Sequence, residues 1–146
     1  MTDLFNSMLA VSDVLGEDND CAVTAVAIAC GVSYGRAYHQ LASLGRPFGQ
    51  PTYNGQIFNA IKFFDKTVVD VRHRFSARTA RTLSRELVPD KRTYLIRTHD
   101  HVYTAHNGVI HDTDTYDLKR IIDIWQVVPA TPERTHYFKR GSNDTT

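Results

Sequence analysis

The sequence contains a cysteine, a histidine and an aspartate at positions where secondary structure could bring them together. These three residue types can carry out nucleophilic chemistry. Cys21 begins a small, apolar segment that reads CAVTAVAIAC. His101 opens a segment of alternating polarity, and Asp112 follows it beyond an Asn-Gly pair. A reactive thiol needs a base that takes its proton and a third group that orients the base. The three residues therefore predict covalent chemistry at a cysteine.

The segment that starts at Cys21 predicts a buried helix. It is apolar on nearly every side, with Asn19 or Asp20 as a candidate N-cap and Gly31 as the C-cap. In the first turn of a helix, unpaired N–H groups and the positive end of the dipole favour a thiolate. Cys30 would lie about 13 Å from Cys21 on that helix, which is too far for a disulfide.

The C-terminal half predicts an antiparallel sheet that carries the base. Period-two alternation predicts strands over residues 93–98, 101–106, 109–113 and 121–128. Asn107-Gly108 predicts a two-residue hairpin turn between the second and third of these strands. That register places Asp112 diagonal to His101 and Asp114 directly opposite, on the same face. Either carboxylate could accept the imidazole N–H.

The other elements predicted are mostly helices, and they precede the sheet. Apolar spacing predicts helices over residues 4–14, after Ser33, around 57–64 and over 76–87, with one strand over 67–71. This order predicts an α+β domain whose helices lie on one side of the sheet. We expect one domain over residues 1–128, with an acidic lead-in over 1–18 and a polar, flexible tail over 129–146.

Two segments resemble a known family. NDCAVTAVAIACGVSYGRAYHQLASLGR is similar to the nucleophile helix of small phage and bacterial papain-like cysteine peptidases. TYLIRTHDHVYTAHNGVIHDTD resembles their histidine strand and hairpin, and DIWQVV resembles their closing strand. The resemblance implies a papain-like cysteine-peptidase fold, in which a buried helix that begins with the nucleophile packs on a C-terminal antiparallel sheet.

The resemblance also implies roles for particular residues. Cys21 would be the nucleophile, His101 the base, and Asp112 the orienting residue, with Asp114 as its rival. The backbone N–H of Cys21 and the side chain of Asn19 would form the oxyanion hole. The implied activity is hydrolysis of a peptide or isopeptide bond through an acyl-enzyme thioester, without a cofactor.

The resemblance further implies a phage-encoded protein that acts in the host cytoplasm on a peptide or protein substrate, a host protein among the candidates. Gln50 and Tyr53 lie on a loop rich in glycine and proline, and we expect them to contact the substrate. An acyltransferase that uses the same cysteine is an alternative.

A binding module without catalysis is the alternative from a different class. Glu17, Asp18 and Asp20 surround Cys21 with negative charge, and the C-G-[SA]-C-[WY] signature of papain is absent. Such a module would bind a host protein or a nucleic acid, the latter through the arginine-rich stretch 72–92.

Composition limits the classes of protein to which this chain can belong. The 146 residues are 42% hydrophobic and 23% charged with a net charge of +1, which fits one soluble domain and does not require a polyanionic partner. The N-terminus has no cationic leader, no apolar run reaches the length of a membrane span, and two free thiols suit a reducing cytoplasm.

The histidines at 99, 101, 106 and 111 could suggest a zinc site, but His101 and His106 point to opposite faces of their strand, so no metal is predicted.

Overall fold

The computed structural model of this protein describes residues 3–15, 20–47, 49, 52, 54–87, 90–112 and 118–130. Within these ranges the chain forms five α-helices, a short 3₁₀ helix and five strands, and the fold is α+β as predicted. In chain order the elements are α1 Asp3–Leu15, α2 Cys21–Cys30, α3 Tyr34–Ser43, α4 Asn54–Phe63, β1 Lys66–Asp70, the 3₁₀ helix Arg72–Arg74, α5 Ala80–Glu86, β2 Thr93–Arg97, β3 Val102–His106, β4 Val109–His111 and β5 Asp123–Pro129.

The five strands form one antiparallel sheet in the order β1-β5-β2-β3-β4. The predicted hairpin is confirmed, because His106 pairs with Val109 across Asn107-Gly108. Asn107 and Gly108 have φ values of 53° and 81°, the left-handed conformations that a tight hairpin turn requires. β5 extends to Pro129, which pairs with Lys66, and residues 131–146 of the predicted tail lie outside the described ranges.

Helices cover both faces of the sheet, so the expectation that they share one side is wrong. α1 to α4 form a core with Leu95, Val102 and Val127 on one face. α5 packs on the other face, in a second core that contains Tyr94 and Ile96. The physical reason is visible in β2, where consecutive apolar residues are all buried. A strand that is apolar on both sides needs a covering layer on each.

α5 also begins later than predicted, at Ala80 instead of Ser76. Thr79 caps it, because its side chain accepts from the Thr82 N–H while the Thr82 hydroxyl accepts from the Thr79 N–H. The backbone at Thr79 is extended and bridges to Arg120. The capping residue and this bridge hold the preceding residues outside the helix.

α2 lies at the centre of the larger core. Its residues Ala22 to Ala29 are all buried, and Gly31 ends it with a φ of 67°. The alanines let the helix axis approach the sheet closely. On the sheet side, the Thr104 hydroxyl donates to the carbonyl oxygen of Ala25 over 2.7 Å, in a buried position. This hydrogen bond joins α2 directly to β3.

Replacing Thr104 tests this connection. Thr104→Val keeps the shape of the side chain but removes the donor, and we expect the free energy of unfolding to fall by about 1–2 kcal/mol. Thr104→Ser keeps the hydroxyl and is the control, with a smaller loss. Urea unfolding followed by circular dichroism measures both variants. A Val variant as stable as the wild type would show that the hydrogen bond contributes nothing.

Candidate active site

Cys21, His101 and Asp112 lie together in the wall of one cavity of about 270 Å³. The cavity opens between α1, the first turn of α2 and the neighbouring ends of β3 and β4. Its apolar lining residues include Phe5, Leu9 and Val102. Polar side chains, the three named above among them, line the same space.

His101 and Asp112 form a close, buried pair. The imidazole Nε2 lies 2.9 Å from Oδ2 and 3.0 Å from Oδ1 of Asp112. The two side chains are only 8% and 6% exposed. Of the two carboxylates that the sequence left open, Asp112 is the one placed beside His101, and Asp114 lies outside the described residues.

Both members of this pair stand just outside the strands, which explains how they reach α2. β3 begins at Val102, and β4 ends at His111, which pairs with Thr104. Regular alternation predicts that His101 shares a face with Tyr103, and the two rings lie next to each other, with their centroids 5.7 Å apart. Both residues line the cavity that contains Cys21. The pairing of His111 with Thr104 is the predicted register, and Asp112 directly follows His111.

Cys21 is the first residue of α2 and is partly buried. Its thiol lines the cavity with His101, and the interaction with Cys21 is one of the causes that raise the pKa of that imidazole. Nε2 of the imidazole faces Asp112, and Nδ1 is the other ring nitrogen. The three side chains therefore stand in the order thiol, imidazole, carboxylate.

This order determines the protonation of His101. Burial of the ring lowers its pKa, but the hydrogen bonds to Asp112 and Cys21 and the negative charge of these two groups raise it further. The net effect raises the pKa of His101 from 6.5 to about 9. The imidazole is thus held in its charged form at neutral pH, with its Nε2–H directed to Asp112.

The first turn of α2 also presents backbone donors. The carbonyl oxygen of Asp20 accepts from the N–H groups of Val23 and Thr24, at 2.9 and 3.2 Å. The N–H of Cys21 is not part of these bonds and stands at the positive end of the helix. Asp20 does not cap the helix with its side chain; its Oδ2 accepts from the Tyr34 hydroxyl over 2.6 Å instead.

Three other predicted site residues, Asn19, Gln50 and Tyr53, lie outside the described residues. Residues that the sequence did not single out as cavity wall are Phe5, Leu9, Asp100 and His111. Phe5 and Leu9 are four residues apart on α1, and that helical spacing was the available signal in a segment interpreted as a lead-in. Asp100 directly precedes His101, but an exposed acid beside a histidine carries no pattern of its own.

Two further histidines of the C-terminal sheet, His106 and His111, have different surroundings from His101. His106 shares a hydrogen bond with the Thr93 hydroxyl, Nδ1 to Oγ1 at 2.7 Å. His111 is buried in the cavity wall, and its pKa is lowered by that burial and by the charge of His106. Among the described residues, no three His, Cys, Asp or Glu side chains are grouped so that they could hold a metal ion.

The second cysteine differs chemically from the first. Cys30 lies at the other end of α2, and burial raises the pKa of its thiol to about 11, although Lys66 partly opposes the effect. A thiol with so high a pKa is almost fully protonated at neutral pH. Only Cys21 of the two has an imidazole beside it.

Two residues of the arginine-rich stretch 72–92 make hydrogen bonds within the fold. Arg72 donates to the carbonyl oxygens of Phe75 and Ala77, at 3.1 and 2.8 Å. Arg74 donates to the side chain of Gln126 on β5 over 3.3 Å. These two guanidinium groups hold the segment between β1 and α5 against itself and against the sheet.

Protein-family models, curated proteins and solved structures were compared with the chain, and none of them matches it. In the part of the chain that the structure describes, no single helix is long and apolar enough to cross a membrane; α2 and α3, bent by 116°, meet that criterion together by length and composition only.

The protonation of His101 gives a direct prediction. In a nuclear magnetic resonance titration, the His101 Cε1–H signal should move with a midpoint of about 9. Asp112→Asn keeps an acceptor but removes the charge, and we expect it to lower this midpoint by about one unit or more. His111 is the control in the same spectrum, since its midpoint should lie below 6.5. A His101 midpoint near 6.5 in the wild type would contradict the geometry.

The same pair makes stability depend on pH. Because the folded-state pKa of His101 lies above its unfolded value of 6.5, its stabilisation is complete below 6.5 and is lost as the pH rises through about 9. Asp112→Asn should therefore lower the free energy of unfolding more near pH 6 than near pH 10, by about 1–2 kcal/mol. Urea unfolding at both pH values measures this difference. Asp65→Asn, an acid outside the cavity, should show no such dependence.

Proposed function

We propose that this protein is a cysteine hydrolase of the papain-like type that cleaves an amide bond in a peptide or protein. The observation that carries the proposal is that Cys21 lies in the wall of one cavity with His101 and Asp112, which are hydrogen-bonded to each other. A nucleophile, a base and a group that orients the base are the parts that acyl transfer at a thiol requires.

The papain-like part of the proposal is supported by where these residues lie in the fold. The nucleophile starts a buried helix, and that helix packs on an antiparallel sheet. The base and its carboxylate flank a hairpin of that sheet, at the end nearest the first turn of the helix. Helix and hairpin are far apart in sequence, so the fold itself brings the three groups together.

Charge supports the first chemical step. With His101 in its charged form, the imidazolium beside the sulfur favours the thiolate of Cys21, as does the helix N-terminus. The thiolate Sγ attacks the carbonyl carbon of the substrate and forms the C–S bond. The carbonyl oxygen gains negative charge, and the backbone N–H of Cys21 is placed to bind it.

The second half of the reaction returns the protons. The C–N bond breaks, and His101 Nδ1 gives its proton to the leaving amine, which leaves a thioester on Cys21. The neutral imidazole then takes a proton from water as that water attacks the thioester. A carboxylic acid leaves, and the thiolate–imidazolium pair is restored. Asp112 holds Nε2–H throughout, which keeps Nδ1 directed at the sulfur.

Alkylation with iodoacetamide tests the thiolate, and Cys30 is a matched control within the same molecule. Near pH 6.5 we expect Cys21 to react about tenfold or more faster than Cys30, and to lose this advantage in His101→Ala. Mass spectrometry of the labelled peptides measures each rate separately. Reaction of Cys21 no faster than that of a cysteine in an unstructured peptide would refute the thiolate.

Acyl transfer then distinguishes an enzyme from a module that only binds. p-Nitrophenyl acetate should acetylate Cys21 with a burst of p-nitrophenolate, followed by steady turnover as water resolves the thioester. We expect His101→Ala to slow acylation about 100-fold, and Cys21→Ala to abolish the burst. A protein that is acetylated on Cys21 but never releases acetate would be a reactive binding module instead.

A further inference from the structure

The charges around the cavity are unequal in sign. Besides Asp112, the carboxylates of Asp20 and Asp100 line it. Among the described residues that line it there is no lysine or arginine, and the one cationic group is His101. Asp112 and His101 neutralise each other as a pair. The two remaining carboxylates therefore add negative charge to the space that a substrate enters.

Asp20 is held in a defined position directly next to the nucleophile. Its Oδ2 accepts from the Tyr34 hydroxyl over 2.6 Å, and Tyr34 is only 2% exposed. The ring of Tyr34 stacks on that of Tyr38, with the centroids 6.3 Å apart. Because its partner is fixed in the core, the Asp20 carboxylate has a fixed place in the cavity wall. Oδ1 takes no part in the bond to Tyr34, which leaves a second oxygen on this cavity-lining carboxylate.

We propose that Asp20 and Asp100 make this site selective for substrates that carry a positive charge beside the scissile amide, a lysine or arginine side chain or a free amine. The proposal rests on the proposed function for the bond that is cleaved. The apolar wall of Phe5, Leu9 and Val102 suits the alkyl stem of such a side chain, while the charged end reaches a carboxylate. An acidic group at the same place would meet like charge.

The test uses two thiol reagents of similar size and opposite charge. In a Cys30→Ala background, the rate of Cys21 is measured with trimethylammonioethyl methanethiosulfonate and with sulfonatoethyl methanethiosulfonate. In each case the thiolate attacks the sulfur that carries the charged ethyl group. A mixed disulfide forms on Cys21, and methanesulfinate leaves. The ratio of the two rates, divided by the same ratio for 2-mercaptoethanol, reports the charge preference of the cavity alone.

We expect the normalised ratio to favour the cation at low ionic strength and to fall toward one as salt is added. Asp20→Asn keeps an acceptor for Tyr34 but removes the charge, and it should lower the ratio about fivefold. Asp100→Asn changes an exposed residue and should lower it about twofold. Asp65→Asn is the matched control; it keeps a residue that tolerates its φ of 63° and should leave the ratio unchanged.

A normalised ratio near one in the wild type, unchanged by either cavity substitution, would overturn the proposal. Failure of the hydrolase proposal gives a different result, since it would appear as slow alkylation or a missing burst of p-nitrophenolate. The ratio is measured for each protein against itself and does not depend on turnover. A preference for the cation that vanishes in Asp20→Asn and Asp100→Asn supports the charge selection whether or not Cys21 hydrolyses amides.

Discussion

The packing of α2 against β3 is the constraint on which the rest of the site depends. Thr104 bonds the carbonyl oxygen of Ala25 at the centre of that contact. Ala25 lies one turn after Cys21, and Thr104 lies three residues after His101. A fixed point so close to both residues limits how far apart thiol and imidazole can move. The two groups are held by the core of the protein, and neither depends on a long loop for its position.

Burial and the neighbouring groups act in opposite directions on the pKa of His101, and their balance sets its protonation state. Desolvation by itself would hold the ring neutral, as it does at His111 in the same cavity. His101 differs because Asp112 and Cys21 lie beside it, and its interactions with both raise its pKa. Two histidines ten residues apart, both facing one cavity, are therefore in opposite protonation states at neutral pH.

Much of the local structure could be predicted because the signals are local. Gly31, Ser33 and the Asn107-Gly108 pair fixed the boundaries of α2, α3 and the hairpin. The hairpin register in turn placed two carboxylates, Asp112 and Asp114, within reach of His101, and Asp112 is the one that the structure shows bonded to it. These predictions rest on backbone conformations that few residue types can adopt.

What could not be predicted depends on contacts between distant segments. The apolar face of α5 does not reveal which side of the sheet it covers, because β2 and β3 present buried residues on both sides. The role of Asp20 is similar. Its position suggested a helix cap, but the Tyr34 hydroxyl, fourteen residues later, takes its carboxylate instead. Whether Asp20 bonds the N-terminus of its own helix or the hydroxyl of Tyr34 is decided by the tertiary structure. The spacing of residues in the sequence does not predict it.

The order of strands in the sheet bears on when the cavity around Cys21 can form. β5 is made last among the described strands, yet it lies inside the sheet, between β1 and β2. Until it inserts, β1 has no neighbour in the sheet and the layers on either face cannot close. During synthesis Cys21 precedes its cavity neighbours His101 and Asp112 by 80 and 91 residues. Until those later segments are made, the thiol has neither the imidazole nor the carboxylate beside it.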